Sequence, residues 1–275
     1  MKLFLLLLPF CLFGQNIPKN MTLDEYFKEL DPEIQVSMKL QNQSGEVLYE
    51  RNSQRVVPSA SVIKIPILIS FFSAKDQKYL KLKTKYILLP KDIVAGSGDL
   101  QFEIPFTKYS YLFIAQKMIA VSDNTATNIL IEKLGMETIQ QEIDEWKLKN
   151  TNLRRKMMDF KAVMAGIQNT TSAEDMNSIL LKLLNKQVLS DKSGKQALEI
   201  LLGCEDRTTI PRNIPLNIPI AHKTGTLDYI RGDAGIIFSK NILVLSVFVE
   251  NFESHEQAET IIGKIGELSY LNFGI

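Results

Sequence analysis

The chain has 275 residues, which is enough to bury a large hydrophobic core without disulfide bonds and corresponds to one large domain or two smaller ones. Hydrophobic residues make up 45% of the sequence and charged residues 23%, as in ordinary globular proteins. The 32 lysines and arginines nearly balance the 31 acidic residues, which excludes a strongly basic nucleic-acid binder and a polybasic protein of membrane surfaces.

Residues 1–15, MKLFLLLLPFCLFGQ, predict a secretory signal peptide, because Lys2 precedes an apolar run that ends at the small residue Gly14. The run is shorter than the ~20 residues that span a bilayer, and no other stretch is long enough, so we expect no stable membrane insertion. A buried N-terminal helix is the structural alternative, and Cys11 is a weak candidate for lipid attachment. We therefore expect a mature chain of residues 16–275, exported across the inner membrane to the periplasm.

Alternating hydrophobicity predicts a β-hairpin near the N-terminus. Apolar and polar residues alternate over residues 34–40, which is typical of a half-buried strand. A turn containing Gly45 follows, and Val47 and Tyr49 belong to a second strand.

Helical periodicity dominates the middle of the chain, from Ala60 to about Leu202. Thr171 is the expected N-cap of the last clear helix, with Glu174 three residues later. The predicted helices are Tyr111–Ala120, Asn124–Leu134, Met136–Trp146 and Ala173–Leu184.

Strands return near the C-terminus and a final helix follows them. Because strands lie at both ends of the chain, we expect an α+β fold: one antiparallel five-stranded sheet built from both termini, plus an all-helical lobe. The sequence thus predicts a single domain over residues 16–275, with the sheet lobe at about 16–58 and 212–275 and the helical lobe at about 59–211. The C-terminal elements are predicted at Ile218–Ala221, Ala234–Ser239, Ile242–Val249 and Ser254–Tyr270.

Ser61-Val62-Ile63-Lys64 is the first motif that carries chemistry. On a helix, Ser61 and Lys64 share one face, and a serine nucleophile needs a base within hydrogen-bond reach. Apolar neighbours desolvate such a lysine and lower its pKa. Pro66 predicts a distortion of this helix. Alone, the motif is a very weak signal, and an exposed serine and lysine on a surface helix is the preferred interpretation.

Ser122-Asp123-Asn124 is the second motif. In a functional interpretation Ser122 relays a proton and the Asn124 amide binds a substrate carbonyl. In the structural interpretation these residues cap the following helix, which is a sufficient role for Asp123.

Lys223-Thr224-Gly225-Thr226 is the third motif. Lys223 and Thr224 offer a cation and a hydroxyl to a substrate carboxylate, and Gly225 lets a ligand backbone approach. The structural alternative is the end of a strand followed by a turn.

Together and in this order, the three motifs are the signature set of class A β-lactamases and penicillin-binding proteins. The sequence resembles class A β-lactamases over nearly all of its predicted mature length, in the separation of the motifs and in the stretches GSGDLQ at 96–101 and NTTSAEDM at 169–176. The resemblance implies a two-lobed fold with the site in the cleft between the lobes.

The resemblance also implies a role for each motif residue. Ser61 is the acylated nucleophile, Lys64 its proton partner, and Ser122 the group that passes the proton to the leaving nitrogen. Asn124 positions the substrate amide. The backbone N–H groups of Ser61 and Thr226 form the oxyanion hole, and the residues that hold the substrate carboxylate and carbonyl are Lys223, Thr224, Gly225 and Thr226.

The sequence departs from the family where deacylation takes place. Class A enzymes carry a Glu that activates the deacylating water, whereas residues 153–168, LRRKMMDFKAVMAGIQ, contain no Glu. Asp159 is the only acid in this segment, and its structural interpretation is an ion pair with Arg154 or Arg155. Loss of the base predicts intact acylation and slow deacylation.

A second departure follows the third motif. Ala234 falls where many members of the family place a carboxylate-binding arginine, and Arg212 and Arg231 are the candidates to replace it.

Nothing in the sequence calls for a metal or cofactor. Two His and two Cys residues are not clustered, and no phosphate-binding loop is present. His222 is interpreted as a packing or surface residue. Loss of the signal would leave Cys204 alone, so no intramolecular disulfide is expected. The predicted partner is a small β-lactam or wall-peptide-like substrate, and the predicted state is a monomer.

Three functions remain open from the sequence. The first is hydrolysis of β-lactams through an acyl-serine intermediate. The second is acyl-serine chemistry on a wall peptide or an ester, which the missing Glu favours. The third is a non-enzymatic protein that binds or senses β-lactams, against which the complete set of catalytic-type side chains argues.

Overall fold

A computed structural model describes residues 21–275 of the chain. The predicted signal peptide at 1–15 lies outside the described residues, as does Cys11. No helix within the described part is long and apolar enough to cross a membrane.

A five-stranded antiparallel sheet forms the centre of the fold, in the order β2-β1-β9-β8-β7. The N-terminal hairpin pairs with the last strand, so the sheet is built from both ends of the chain as predicted. The strands are β1 Gln35–Asn42, β2 Val47–Arg51, β7 Ile220–Leu227, β8 Ile230–Ile237 and β9 Leu243–Glu250; short strands β3 Val57–Pro58, β4 Lys85–Ile87, β5 Lys108–Ser110 and β6 Thr170–Thr171 form two small ribbons.

Nine α-helices surround this sheet within the described residues, and the predicted helices in the middle of the chain are confirmed to within one residue at their ends, apart from the N-cap treated below. They are α1 Leu23–Glu29, α2 Lys64–Asp76, α3 Tyr111–Ala120, α4 Asn124–Leu134, α5 Met136–Glu145, α6 Phe160–Met164, α7 Ala173–Leu184, α8 Asp191–Leu202 and α9 His255–Ser269.

Two hydrophobic cores hold the elements together. One lies between the sheet and the helices α1 and α9, and its members include Met38, Leu245 and Ile262. The other lies on the opposite face of the sheet and includes residues of the helices α2 to α5, α7 and α8, with Phe71 and Leu130 among its members. The sheet therefore has helices on both faces. Burial of apolar surface between them stabilises the fold by roughly 25 cal/mol per Å².

Strand β1 is buried on both faces, so the prediction of a half-buried strand is wrong. Two of its buried polar residues pair with α7 rather than with water: Lys39 forms an ion pair with Glu174, and Asn177 Nδ2 donates to Gln41 Oε1 at 3.2 Å. Buried polar groups are tolerated when they are paired, which the alternating pattern alone does not reveal.

Helix α7 is capped by Ser172, not by Thr171 as predicted. Ser172 Oγ accepts from Asp175 N at 3.2 Å, whereas Thr171 belongs to β6 and pairs with Val57. Both residue types are good caps, and the pairing of β6 with β3 decides between them.

The C-terminal strands are displaced from their predicted bounds. β7 does not end before the third motif but runs through it to Leu227, and a tight turn leads into β8 at Ile230. The alternative of a strand end at Lys223 is therefore wrong. The motif lies within a strand whose position is fixed by hydrogen bonds to β8.

Candidate active site

Ser61 lies on a 3₁₀ turn, Ala60–Ile63, that leads directly into α2. The predicted distortion at Pro66 is wrong in position: Pro66 lies in the first turn of α2, where its missing N–H has no helical partner to lose. The irregularity lies six residues earlier, at the start of the 3₁₀ turn, where Ala60 has a φ of +45°. The turn still places Lys64 on the same side as Ser61.

Strand β7 passes close beneath this turn. A Cβ on Gly225 would lie 3.0 Å from Ala60 Cβ and 3.1 Å from Ser59 O. A side chain here would push against the nucleophile's turn, so glycine lets the strand pack closely against it, a role that the sequence analysis did not assign.

Lys64 joins the first and second motifs. Its Nζ lies 3.0 Å from Ser61 Oγ, 3.0 Å from Ser122 Oγ, 2.7 Å from Ser122 O and 3.1 Å from Asn124 Oδ1. Lys64 is fully buried. An amine that touches both serine hydroxyls can exchange protons with either.

Burial lowers the pKa of Lys64 well below its usual range, and the nearby Lys223 cation lowers it further, while Asp123 acts in the opposite direction. A lysine in this environment is neutral over a pH range where an exposed lysine is charged. The neutral amine has a lone pair with which to accept the Ser61 proton.

Ser122 is held in a strained conformation at the end of α3. Its φ of +56° is in the left-handed region, which is costly for a residue other than glycine and is frequent at functional sites. The neighbouring Asp123 is buried and fixes this bend, since its carboxylate accepts from Ala126 N and Leu100 N, both at 2.8 Å. The capping interpretation thus holds for Asp123, while Ser122 and Asn124 face Lys64.

Lys223 is fully buried at the opposite side of the cleft, where its Nζ donates to Thr224 O at 2.9 Å. Burial lowers its pKa. Ser61, Ser122 and the four residues Lys223–Thr226 line one cleft of about 400 Å³, whose wall also includes Glu205 and Asp206. The structure therefore brings the three motifs together.

Arg231 is the arginine that reaches the third motif. Its Nη1 donates to Thr226 Oγ1 at 2.6 Å, and its Nη2 donates to Asp206 Oδ2 at 2.7 Å. Arg212 instead packs against Gly263 and lies 3.9 Å from Glu259. Of the two sequence candidates, only Arg231 is next to the cleft.

His222 is not a surface residue but belongs to a buried polar pair behind Lys223. Its Nδ1 lies 3.0 Å from Asp233 Oδ2, which also accepts from Thr209 Oγ1 at 2.7 Å. Burial opposes the charge on His222, but the Asp233 carboxylate outweighs it and raises the pKa to about 10. Local sequence patterns do not reveal this pair, because His222 lies on β7 and Asp233 lies on the neighbouring strand β8.

The side of the cleft nearest residues 153–168 forms a smaller chamber of about 160 Å³, which we call the loop-side chamber. It is lined by Ala60, Ser61, Gly96, Ser97, Asn124, Arg155, Met157, Met158, Asn169, Thr226 and Leu227, and no carboxylate is among these described residues. Asn128 fixes Met157 in place, since it accepts from Met157 N at 2.8 Å and donates to Met157 O at 3.0 Å.

Asp159 lies outside this chamber and is exposed. Its carboxylate accepts from Ala162 N at 3.0 Å and caps α6, so its predicted ion pair with Arg154 or Arg155 is wrong. A short helix that begins at residue 160 satisfies this acid locally.

Fold and cleft together define the class: the sheet of five antiparallel strands with helices on both faces is the β-lactamase and transpeptidase-like fold. A family model described as the β-lactamase enzyme family matches residues 21–273. The chain belongs to this family of class A serine β-lactamases, as the motifs indicated.

Several members of known sequence or structure are similar to the chain. β-Lactamase VEB-1 of Pseudomonas aeruginosa is 27% identical over 237 residues, or 78% of each chain. The structure of PBP-A has a TM-score of 0.82 and 30% identity and covers 90% of this chain and 93% of its own. A mutant of PBP-A, solved as an acyl-enzyme complex with penicillin G, has a TM-score of 0.81 and 31% identity over 88% of this chain and 91% of its own.

Proposed function

We propose that this protein opens β-lactams by acylation of Ser61 and releases the acyl group slowly by hydrolysis. The observation that carries the proposal is the buried Lys64 amine, which lies 3.0 Å from both Ser61 Oγ and Ser122 Oγ. One residue thereby connects the attacking oxygen to a second hydroxyl across the cleft. Acyl transfer needs this kind of path, because a proton must leave the nucleophile and reach the departing nitrogen.

In the proposed acylation, neutral Lys64 takes the Ser61 proton while Oγ attacks the lactam carbonyl. Ser122 gives its proton to the ring nitrogen as the C–N bond breaks, and Lys64 replaces that proton. Ser61 and Thr226 both line this cleft, and their backbone N–H groups hold the oxyanion in this proposal. Asn124 positions the acyl amide.

In the proposed substrate complex, Lys223 and Thr224 hold the carboxylate, with Arg231 beside them. Arg231 is less available than Lys223, because Asp206 and Glu259 lie 2.7 Å and 3.1 Å from its Nη2. Lys223 is therefore the main cation of this subsite.

A second candidate function is acyl transfer on a wall peptide or an ester. The observation that favours it is the loop-side chamber, which adjoins Ser61 and has methionines but no carboxylate among its described lining residues. Such a site acylates normally and lacks the base that prepares water. A non-enzymatic trap differs from both, because it would keep its adduct indefinitely.

Chromatography of the products separates these functions. The protein is incubated with excess benzylpenicillin, with a peptide ending in D-alanyl-D-alanine, and with a neutral ester. The proposal expects penicillin with one added water, formed beyond one equivalent of enzyme. Turnover of the peptide or the ester with no hydrolysed penicillin would establish the second candidate, and no turnover of any substrate would contradict both.

Acylation is expected to speed up as the pH rises through a single ionisation well below the ordinary lysine pKa of about 10.4. The sign follows from the base: below its lowered pKa Lys64 carries a proton and accepts none, and above it the amine is free. Stopped-flow measurement of acylation by a neutral ester follows this rise with pH, and such an ester has no carboxylate for Lys223 to bind. Lys64→Arg, which stays charged, is the control and loses the reaction at every pH; a rate that falls with rising pH would contradict the assignment.

Lys223→Ala is expected to weaken capture of carboxylate-bearing substrates far more than capture of neutral esters. A charge-assisted hydrogen bond contributes about 1.5–3 kcal/mol, or roughly 10- to 150-fold. The second-order acylation constants for benzylpenicillin and for a neutral ester are compared in both proteins. Equal losses for the two substrates would show that Lys223 binds no carboxylate.

A further inference from the structure

The loop-side chamber contains one charged residue among its described lining, and that residue is Arg155. The chamber adjoins Ser61 and Asn124 and lies on the side of the cleft away from Lys223. In the proposed function, which this inference deepens, Lys223 binds the carboxylate beside the leaving nitrogen. The acyl half of the substrate then occupies the chamber with Arg155.

Arg155 has no carboxylate partner within the described residues. Its Nε and Nη2 donate to Gln168 Oε1 at 3.1 and 2.8 Å, and its Nη1 donates to Lys156 O at 3.0 Å. These bonds use three of the five N–H groups of a guanidinium, and all their acceptors are neutral.

The surroundings of Arg155 favour an anion from outside. Burial lowers its pKa, and Asp159 acts on it only through space, since that carboxylate is used to cap α6. A partly buried cation that pairs only with neutral oxygens gains more from an incoming carboxylate than an exposed one does.

We propose that Arg155 binds an anionic group on the acyl half of the substrate, so that the cleft recognises acyl chains bearing a carboxylate. The substrates would then carry two carboxylates, of which Lys223 binds the first and Arg155 binds the second. Arg155 is a specificity residue in this proposal and takes no part in bond breaking.

Carbenicillin and benzylpenicillin test the proposal, because they differ by one carboxylate on the acyl side chain. The measured quantity is the ratio of their second-order acylation constants. We expect Arg155→Gln to lower the ratio for carbenicillin over benzylpenicillin by about 10-fold or more, the effect of one charge-assisted hydrogen bond. Arg154→Gln is the matched control, since Arg154 is exposed and does not line the chamber, and it leaves the ratio unchanged.

A measurement on the unmodified protein covers the case in which Arg155→Gln does not fold. Raising the salt concentration shortens the Debye length from about 30 Å at 0.01 M to about 3 Å at 1 M, so the ratio should fall. Both penicillins carry the carboxylate that Lys223 binds, so the screening of that contact cancels in the ratio. A ratio unaffected by salt and by Arg155→Gln, with both adducts formed, would overturn this proposal alone. Adducts with neither penicillin would overturn the proposed function.

Discussion

Ser61→Ala is expected to abolish covalent labelling by every β-lactam. The reason is geometric: Ser61 Oγ is 3.0 Å from the buried Lys64 amine, which can remove its proton during attack. Intact-mass spectrometry after incubation with excess benzylpenicillin should show the unmodified mass only.

Ser97→Ala is the matched control, because Ser97 also lines the cleft and has no hydrogen bond to Lys64. This variant should be labelled to one equivalent. Labelling of Ser61→Ala at full stoichiometry would contradict the assignment of the nucleophile.

Turnover of penicillins by the unmodified protein is expected to show a burst of one equivalent followed by a slow steady state. Ser61, Lys64 and Ser122 are in contact, and in the proposed function they carry out acylation. The loop-side chamber beside Ser61 is lined by Met157 and Met158, and no carboxylate is among its described lining residues to deprotonate water. A positioned general base contributes about 10²- to 10⁴-fold, and deacylation should be slower by that order. Stopped-flow absorbance of the opening ring measures both phases.

The same measurement on Asp159→Asn shows whether this exposed acid takes part. We expect the steady state to slow only slightly, because the Asp159 carboxylate caps α6 outside the chamber. Met157→Glu, which places a carboxylate on the chamber wall, should raise the steady state instead. If Asp159→Asn instead lowered the steady-state rate by ~10²-fold or more, with the burst unchanged, Asp159 would be the hydrolytic base. A loss of that size is what removal of a positioned general base causes.

The sequence predicted the fold and the centre of the site because these depend on patterns that survive without context. The strand and helix periodicities located the sheet and most helices. The three motifs named Ser61, Lys64, Ser122 and Lys223, and the structure brings all four to one cleft.

What the sequence missed depends on contacts between distant segments. The buried polar face of β1 follows from α7 packing on it, and the choice of Ser172 over Thr171 follows from the pairing of β6. The burial of His222 follows from Asp233 on the neighbouring strand. Gly225 packs against the nucleophile's turn as well as lining the cleft. None of these contacts has a local signature.

Time-resolved mass spectrometry of the unmodified protein with benzylpenicillin tests the central claim most directly. Samples quenched from milliseconds to hours show the adduct, and peptide mapping locates it. The account predicts one penicilloyl group on Ser61 that forms quickly, persists while substrate remains, and then decays slowly to free enzyme and ring-opened product. An adduct on another residue, or penicillin hydrolysed with no adduct at any time, would contradict it.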